Sequence, residues 1–318
     1  MSLLAALATQ GGAVGPGPGP DPTPDPRPEP LDEIVAQIRP DGRRIWTATV
    51  AQDGTGDYTE LQAASDAAWA AWRAKLADEG LREDQATPNY RCQVIVEPGT
   101  YEVSSLRLPP WAELIGRDRE QVTITMPASP PDPGGYVLNL ASRFYCENVT
   151  IIKPEGTGRY AVHNASGGTT IWANVGVFWE ADEPWPHING RPSGLDAGDG
   201  ITVLWYRCKT NGRLDSHGWD ANTIPSTHLF IEQEGGQIGY RSGDGGGGLT
   251  ADQVWLVGGD VQAVAVAGPN SVFHRDPSAI VRGEPLGSSH TPGATTDRTD
   301  WPIPYGGMSA RDRAHFGM

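Results

Sequence analysis

The residues best suited to chemistry are acidic, histidine and tryptophan side chains near the middle of the chain. They are Asp196, Asp199, Asp215, His217, Trp219 and Asp220. His217 beside Asp215 or Asp220 can form an oriented acid/base pair. Carboxylates beside an indole can instead bind a sugar, because the indole offers a flat apolar face and the acids accept hydroxyl protons. Aspartates next to glycines also stabilise ordinary turns, so each acid has a structural alternative.

A glycine-rich segment downstream adds two candidates for ligand binding. It reads Arg241-Ser-Gly-Asp-Gly-Gly-Gly-Gly248. It has neither the Gly-Lys-Ser/Thr of a P-loop nor a dinucleotide fingerprint, and the nonapeptide calcium-binding repeat is absent. We interpret it as an exposed turn, and we predict no metal site and no cofactor. The predicted glycan-binding residues are Asp199, Trp219, Asp220, Arg241 and Asp244.

Composition limits the possible partners. The 318 residues carry 24 basic and 39 acidic side chains, a formal net charge of −15. A surface this acidic does not attract nucleic acid and is repelled by anionic membranes, which leaves neutral or cation-bridged glycans. Residues 1–10 hold an apolar run that lacks a basic flank and is too short to span a bilayer. Neither a signal peptide nor membrane insertion is therefore expected.

Short strands are expected to position the candidate residues. The chain has 41 glycines and 28 prolines, and β-rich runs recur from residue 91 onward. The runs are 94–96, 122–125, 144–152, 170–178, 201–206, 228–231 and 254–257. Steps of 33, 25 and 25 residues separate Ile171, Leu204, Leu229 and Val254. Such spacing without intervening helices predicts a single-stranded parallel β-helix over residues 45–268, followed by an irregular segment over 269–318.

The interior of this β-helix is expected to be apolar. Aromatic residues recur at strand positions and are predicted to stack in the core or to contact another protomer: Trp172, Phe178, Trp205, Phe230 and Trp255. The three cysteines, Cys92, Cys146 and Cys208, also fall in predicted strands. Because they are few, odd in number and far apart, we predict reduced core residues and no disulfide.

Helices are expected only before the recurring strands that start at residue 91. Residues 65–81, which are rich in alanine, predict a helix that covers the first turn of the stack, since an exposed terminal turn would leave strand edges unpaired. Thr59 and Gln62 form a capping-box pattern at its start. Residues 31–44 predict a short helix, stopped by Pro40, and a linker.

The N-terminal residues are expected to form an arm. Proline occupies every second position over residues 16–30, which predicts an extended polyproline II spacer of roughly 45 Å at about 3.1 Å per residue. Residues 1–15 lie before it and carry the apolar side chains Leu3, Leu4 and Leu7. One interpretation is a docking peptide that attaches the chain to a partner assembly through these leucines. The other is a disordered tail.

Two motifs, in order, resemble the start of pectinesterase-like right-handed parallel β-helices. Residues 49–64 read TVAQDGTGDYTELQAA, and residues 94–101 read VIVEPGTY. In that family a strand enters an Asp-Gly-Ser/Thr-Gly-Asp-Tyr turn, a helix follows, and the first turn of the solenoid ends in Pro-Gly-x-Tyr. The resemblance implies an all-β, pectin-lyase-like fold with an N-terminal capping helix.

The resemblance implies less about activity. Pectinesterases use one aspartate as a nucleophile and a second as acid and base. Cys208-Lys-Thr-Asn-Gly-Arg-Leu-Asp215 matches the spacing of the nucleophile motif, but Ser-His-Gly-Trp replaces the Phe-Ile-Phe-Gly that should follow. Asp196 lies two positions from the place of the acid/base residue, and the remaining motifs are not matched. The catalytic candidates are Asp215, Asp196 and His217.

The N-terminal arm and the expected β-helix together resemble spike and fibre proteins of tailed phages or phage-like particles. This resemblance implies a homotrimer on the virion or particle surface. Its N terminus would attach to a base protein of the particle, and its β-helix would bind cell-surface polysaccharide. The alternatives are a polysaccharide-modifying esterase, lyase or hydrolase that uses Asp215, and a decoration protein without a ligand.

Overall fold

The computed structural model describes residues 43–132, 135–140, 143–155, 157, 160–164, 169–180, 187–190, 202–217, 227–241, 253–267, 272–283 and 294–297. The predicted docking peptide with Leu3, Leu4 and Leu7, the proline tract and the short helix after it lie outside these residues. In the described part, one strand comes first, one α-helix follows it, and a long series of further strands comes next. No helix there combines the length and the apolarity that crossing a bilayer requires.

The strands, numbered β1 to β22 in chain order, form three sheets. Ten strands form the first sheet: β1 (Arg44–Val50), β2 (Arg91–Val96), β4 (Glu113–Gly116), β7 (Phe144–Glu147), β10 (Thr169–Ala173), β13 (Thr202–Tyr206), β16 (Thr227–Ile231), β18 (Gln253–Val257), β20 (Val272–Arg275) and β22 (Ala294–Asp297). Five form the second: β3 (Gly99–Glu102), β5 (Val122–Thr125), β8 (Thr150–Lys153), β11 (Gly176–Trp179) and β14 (Lys209–Thr210). Seven form the third: β6 (Tyr136–Leu140), β9 (Tyr160–Asn164), β12 (His187–Gly190), β15 (Arg213–His217), β17 (Gln237–Arg241), β19 (Asp260–Ala267) and β21 (Ile280–Gly283).

The chain visits the three sheets in turn. β7, β8 and β9 are consecutive in the chain and lie in the ten-, five- and seven-stranded sheets, and β10, β11 and β12 repeat this order. Every ladder in the described residues is parallel. The predicted all-parallel β structure is confirmed, and the winding is compatible with a parallel β-helix.

Parallel pairing continues beyond residue 268, where the sequence predicted its end. β20 pairs with β18, β21 with β19, and β22 with β20. The expectation of an irregular segment from residue 269 is therefore wrong for these strands. Each is only four residues long, and β21 is largely exposed, so neither an apolar run nor a clear alternation marks them in the sequence.

Aromatic rings stack through the interior shared by the three sheets. Trp172, Trp205 and Phe230 occupy one register position on β10, β13 and β16. Their ring centroids are 4.9 and 6.2 Å apart, and adjacent rings are tilted by only 11° and 3°. The predicted core stack is confirmed for these three, which are buried in the main apolar cluster. Phe178 lies in the five-stranded sheet instead.

Trp255 departs from the predicted stack. It pairs with Leu229, whereas the sequence spacing matched Leu229 to Val254. Since successive residues of a strand face opposite sides, this one-residue difference moves Trp255 to the other face of the ten-stranded sheet. There it joins a second buried apolar cluster that includes Ile171 and Leu204. The ten-stranded sheet therefore carries a buried apolar cluster on each face.

A left-handed turn residue follows five strands of the ten-stranded sheet. These residues, with φ between 52° and 62°, are Asn148, Asn174, Arg207, Glu232 and Gly258. They split the predicted continuous runs 144–152 and 170–178 into two strands each. Between the first two of these turns, Asn174 Nδ2 donates to Asn148 Oδ1 at 2.8 Å. Between the third and the fourth, Arg207 Nε donates to Glu232 Oε2 at 2.9 Å. Side-chain bonds between successive turns thus offset the strain of the left-handed backbone.

The two motifs of the family resemblance contact each other at the start of the stack. Asp57 N donates to Thr49 O at 2.8 Å, so the glycine-rich turn folds back on β1. Gly56 lies so close that a Cβ there would be 2.7 Å from Thr49 O. The buried Tyr101 hydroxyl, from the Pro-Gly-Thr-Tyr motif, lies 3.2 Å from Val50 O and 2.9 Å from Glu97 O. Within the turn, the Asp53 carboxylate accepts bonds from Thr55, which lowers the Asp53 pKa.

Helix α1 (Leu61–Asp78) packs against β1 and β2 through one apolar face. The buried residues recur at helical spacing: Leu61, Ala64, Ser65, Ala68, Trp72 and Leu76. The helix starts four residues earlier than predicted, Glu60 is its N-cap, and no side chain caps it, so the Thr59 capping box is wrong. Gln62 bonds to Asp66 instead. At the C-terminal end, Gly80 adopts φ 67° and Leu81 N bonds to Leu76 O, which ends the helix.

The cysteines are free and buried, as predicted. Burial raises the pKa of Cys92 and of Cys208 to about 12 and raises that of Cys146 well above its ordinary value. The reactive thiolate form is therefore suppressed at all three positions.

Candidate functional site

A row of polar residues crosses the seven-stranded sheet. Asn139, His163, Asn189 and Asp215 are successive register partners on β6, β9, β12 and β15. At one end of the row, Asn139 Oδ1 and His163 Nδ1 are 3.1 Å apart. The His163 ring also stacks on Tyr136, with centroids 4.2 Å apart and an interplanar angle of 7°. These contacts fix the imidazole at this end of the row.

The polar row lies on the face turned away from the interior. Leu138 and Val162, which precede Asn139 and His163, belong to the main apolar cluster, and so does Ile238 on β17. Because side chains alternate along a strand, positions next to these core residues lie on the opposite face. Asn139 and His163 are only half-buried there. Val137 and Ala161, two positions before Asn139 and His163, are also buried in the main cluster, so this face is apolar where these two strands begin and polar only along the row.

Three predicted site residues fall on this outer face. Asp215 and His217 are alternate residues of β15, and Arg241 on β17 is the register partner of His217. Adjacent strands lie about 4.8 Å apart, so these positions are neighbours on one surface. The register therefore places these three positions side by side, whereas proximity along the chain had grouped only Asp215 with His217.

The remaining predicted residues lie outside the described part of the chain. They are Asp196, Asp199, Trp219, Asp220 and Asp244. They belong to segments that leave β12 after Gly190, β15 after His217 and β17 after Arg241. These three strands are neighbours in the sheet and run in parallel, so the segments begin side by side at one edge. The predicted pairing of Asp196 with Asp215 stays a prediction.

The strand positions around Asp215 favour hydrogen bonding over two-carboxylate chemistry. Its register partners are Asn189 and Gly239, and its neighbours on the same face of β15 are Arg213 and His217. None of these is a carboxylate, whereas paired acid and nucleophile mechanisms need two. Amide, imidazole and guanidinium groups can donate hydrogen bonds, and a carboxylate can accept them. In the described part of the chain, no group of His, Cys, Asp and Glu could hold a metal ion.

A second polar group, missed by sequence analysis, lies on the outer face of the ten-stranded sheet. The fully buried Glu113 accepts bonds from Arg44 Nε at 2.9 Å and from Gln93 Nε2 at 2.7 Å, and Arg91 Nε lies 3.9 Å from its second oxygen. Burial raises the pKa of Glu113, and Arg44 opposes this effect. The glutamate lies on the same face as the buried outer apolar cluster. It is closed to solvent, and we assign it a structural role.

The sequence carried a weak signal for this group. Arg91 and Gln93 alternate with the core residues Cys92 and Val94 on β2, so their positions on the outer face were predictable. The burial of these side chains was not predictable from the sequence, because it depends on which other residues cover that face. No protein-family model and no curated protein sequence matches the chain.

Proposed function

We propose that this protein is a spike- or fibre-type structural component of a phage or phage-like particle that binds cell-surface polysaccharide. The polysaccharide binds on the outer face of the seven-stranded sheet and at the edge where the segments with Asp196, Asp199, Trp219, Asp220 and Asp244 begin. The three sheets form a right-handed, pectin-lyase-like β-helix, and α1 covers its N-terminal end. The chain acts as a homotrimer on the particle surface, and residues 1–15 attach it to a base protein.

One observation carries this proposal: the polar row from Asn139 to Asp215, flanked by His217 and Arg241. A polysaccharide presents hydroxyl groups repeated along a chain, and a row of donors and acceptors repeated from strand to strand matches that chemistry. The acidic net charge of −15 argues against nucleic acid and anionic lipid as competing ligands. The attachment arm is supported by the sequence of residues 1–30 alone.

Glycan-array binding by the full chain tests the proposal. We expect retention of at least one bacterial surface polysaccharide, and about tenfold weaker retention for Arg241→Gln, since a hydrogen bond to a charged group is lost. Arg282→Gln is the matched control, because Arg282 is an exposed arginine on β21 of the same sheet. Absence of binding to any glycan, or equal binding by the two variants, contradicts the proposal. Light scattering after size exclusion tests the trimer, and a monomer would refute it.

A polysaccharide-modifying enzyme is the second candidate. It is favoured by the alternate positions of Asp215 and His217 on β15 and by the register pairing of His217 with Arg241. An enzyme of this kind needs an acid from one of the three edge segments, of which Asp196 is our candidate. Asp215→Asn would then abolish turnover of the bound polysaccharide, measured as new reducing ends or released alcohol. Binding without turnover by the unmodified chain rejects this candidate and leaves the first intact.

A further inference from the structure

A cleft beside α1, with a volume of about 540 Å³, lies on a different part of the molecule from the polar row. The cleft is lined by Asp66, Trp69, Ala70, Arg73, Glu83 and Arg107. We infer that the proline tract of this same chain, residues 16–30, docks in this cleft through contacts with Trp69. The inference concerns how the N-terminal arm joins the body of the protein, and it goes beyond the proposed function.

The indole of Trp69 forms a fixed wall of the cleft. Trp69 Nε1 donates to Arg107 O at 2.5 Å, and Ser65 Oγ donates to the same carbonyl at 2.8 Å. The Trp69 ring meets the buried Trp72 edge to face, with centroids 5.4 Å apart. Trp69 is nevertheless only half-buried. Grooves that bind polyproline II segments are lined by such rigid, partly exposed aromatic rings, on which proline rings pack.

The rim of the cleft is rich in hydrogen-bond donors. The guanidinium groups of Arg73 and Arg107 lie 4.8 and 5.9 Å from the centre of the Trp69 ring, and each guanidinium has five N–H groups. Proline has no backbone N–H, so a tract with proline at every second position has more carbonyl acceptors than N–H donors. The donors at the rim and the acceptors along the tract are therefore complementary.

The charges that line the cleft favour a ligand that carries both signs. Arg73 and Glu83 form an ion pair at 3.0 Å. Asp66 accepts the Gln62 amide at 3.2 Å, and Arg107 has no ion pair within the described part of the chain. One acid and one base therefore stay available. A purely anionic ligand such as phosphate, or a purely cationic one, meets repulsion here as well as attraction.

The proline tract supplies both signs within a few residues. Arg27 has an acidic residue two positions before it and another two positions after it. A polyproline II helix has three residues per turn, so Pro24 and Arg27 lie on one side of it, about 9 Å apart. We place Arg27 opposite Asp66, which brings Pro24 to the ring of Trp69.

The chain between the tract and the described strands is long enough for this contact. Residues 31–43 join the tract to Arg44, the first residue of β1, and α1 packs against β1. Trp69 is at the middle of the 18-residue helix, so it lies about 13 Å from either end of α1. Residues 31–43 span about 20 Å when helical and at most about 45 Å when extended. The cleft is therefore within reach of the tract of the same chain.

Disulfide trapping in the full chain tests this inference. Thr23→Cys with Ala70→Cys joins the tract to the cleft, and neither change removes a proline or a charged residue. Thr23→Cys with Ala77→Cys is the matched control, because Ala77 is also an exposed alanine of α1 but lies outside the cleft. The three natural cysteines are buried and do not compete. We expect the disulfide within one chain to form at least about tenfold faster with Ala70→Cys, because docking raises the local concentration of the two thiols.

Trp69→Ala, added to the first variant, should slow trapping to the rate of the control, because it removes the ring on which the tract packs. Three results would overturn the inference: equal rates for the two cysteine pairs, a faster rate that persists without the indole, or disulfides between two chains instead of within one. Circular dichroism melting of each variant separates lost docking from a lost fold. Trapping requires no glycan, so its failure is distinguishable from failure of the proposed function.

Discussion

His228 should make this protein sensitive to mild acid. The residue lies on β16 in the interior of the stack, between Val203 and Val254 in register, and is only 4% exposed. Burial lowers the pKa of His228 from 6.5 to about 4, because the charged imidazolium is poorly solvated there. The folded state therefore holds the imidazole neutral at pH values where the unfolded chain is already protonated.

The sign and the size of the effect follow from linkage. Below pH 6.5 the unfolded state binds more protons than the folded state, so the free energy of unfolding falls as the pH falls. Each pKa unit corresponds to about 1.36 kcal/mol, which gives a loss of about 2 kcal/mol between pH 7 and pH 5. The loss approaches about 3 kcal/mol below pH 4, where the folded state is protonated as well.

Urea unfolding followed by circular dichroism at pH 7, 6 and 5 measures this loss. His228→Gln removes the titrating group and keeps a polar side chain of similar size. Other groups affect both proteins equally, so the difference between their unfolding free energies isolates His228. We expect the variant to gain about 2 kcal/mol relative to the unmodified chain between pH 7 and pH 5. If the unfolding free energies of the two proteins changed in parallel with pH, His228 would bind its proton equally well in the folded and unfolded states. That result would refute the reasoning.

Three further predictions concern the turns, the core and the thiols. Asn148→Ala should lower the free energy of unfolding by about 2 kcal/mol, because it strains a left-handed turn at φ 55° and removes the bond to Asn174. Asn148→Gly should lower it by about 1 kcal/mol, since only the bond is lost. Thermal melts of the two variants measure this difference. Trp205→Ala should lower the free energy of unfolding, measured in urea, by about 4 kcal/mol, because the ring is buried and stacks between two others. A loss below about 1 kcal/mol would contradict the stack. The three cysteines should resist a thiol reagent at pH 8 in the folded protein, since burial raises the pKa of each thiol. They should react fully in urea. Rapid labelling of the folded chain would contradict this prediction.

The sequence predicted the repeating parts of the fold because they depend on composition and period. Trp172 and Trp205 stack as expected, since a residue repeated once per turn of a solenoid meets its own successor. The register was harder to predict. Leu229 pairs with Trp255 and not with Val254, and both alternatives place an apolar residue beside it. When both faces of a sheet are apolar, hydrophobicity does not distinguish a register from its one-residue slip.

Local backbone geometry accounts for the other differences. Asn148 and Asn174 each precede a valine within what looked like one long strand, and only the recurrence of Asn-Val one turn later marked them as turns. The Thr59 capping box failed because the helix begins at Leu61, one residue later than a Thr59 N-cap requires, with Glu60 as N-cap. Near the site, Asp215 and His217 were identified from their types. Their grouping with Arg241 required the pairing of β15 with β17, which no local pattern encodes.

The contrast between two outer faces underlies our proposal of where a glycan binds. On the ten-stranded sheet, Ile171 and Leu204 belong to a buried apolar cluster on the outer face, and the polar group around Glu113 on that face is closed to solvent. A ligand rich in hydroxyls finds few partners there, and its polar groups would lose hydration without compensation. The outer face of the seven-stranded sheet offers Asn139, His163 and Asp215 in one row instead. Within the described strands this row holds one carboxylate position, Asp215. Our second candidate, an enzyme with two carboxylates, therefore takes its other acid from one of the three edge segments.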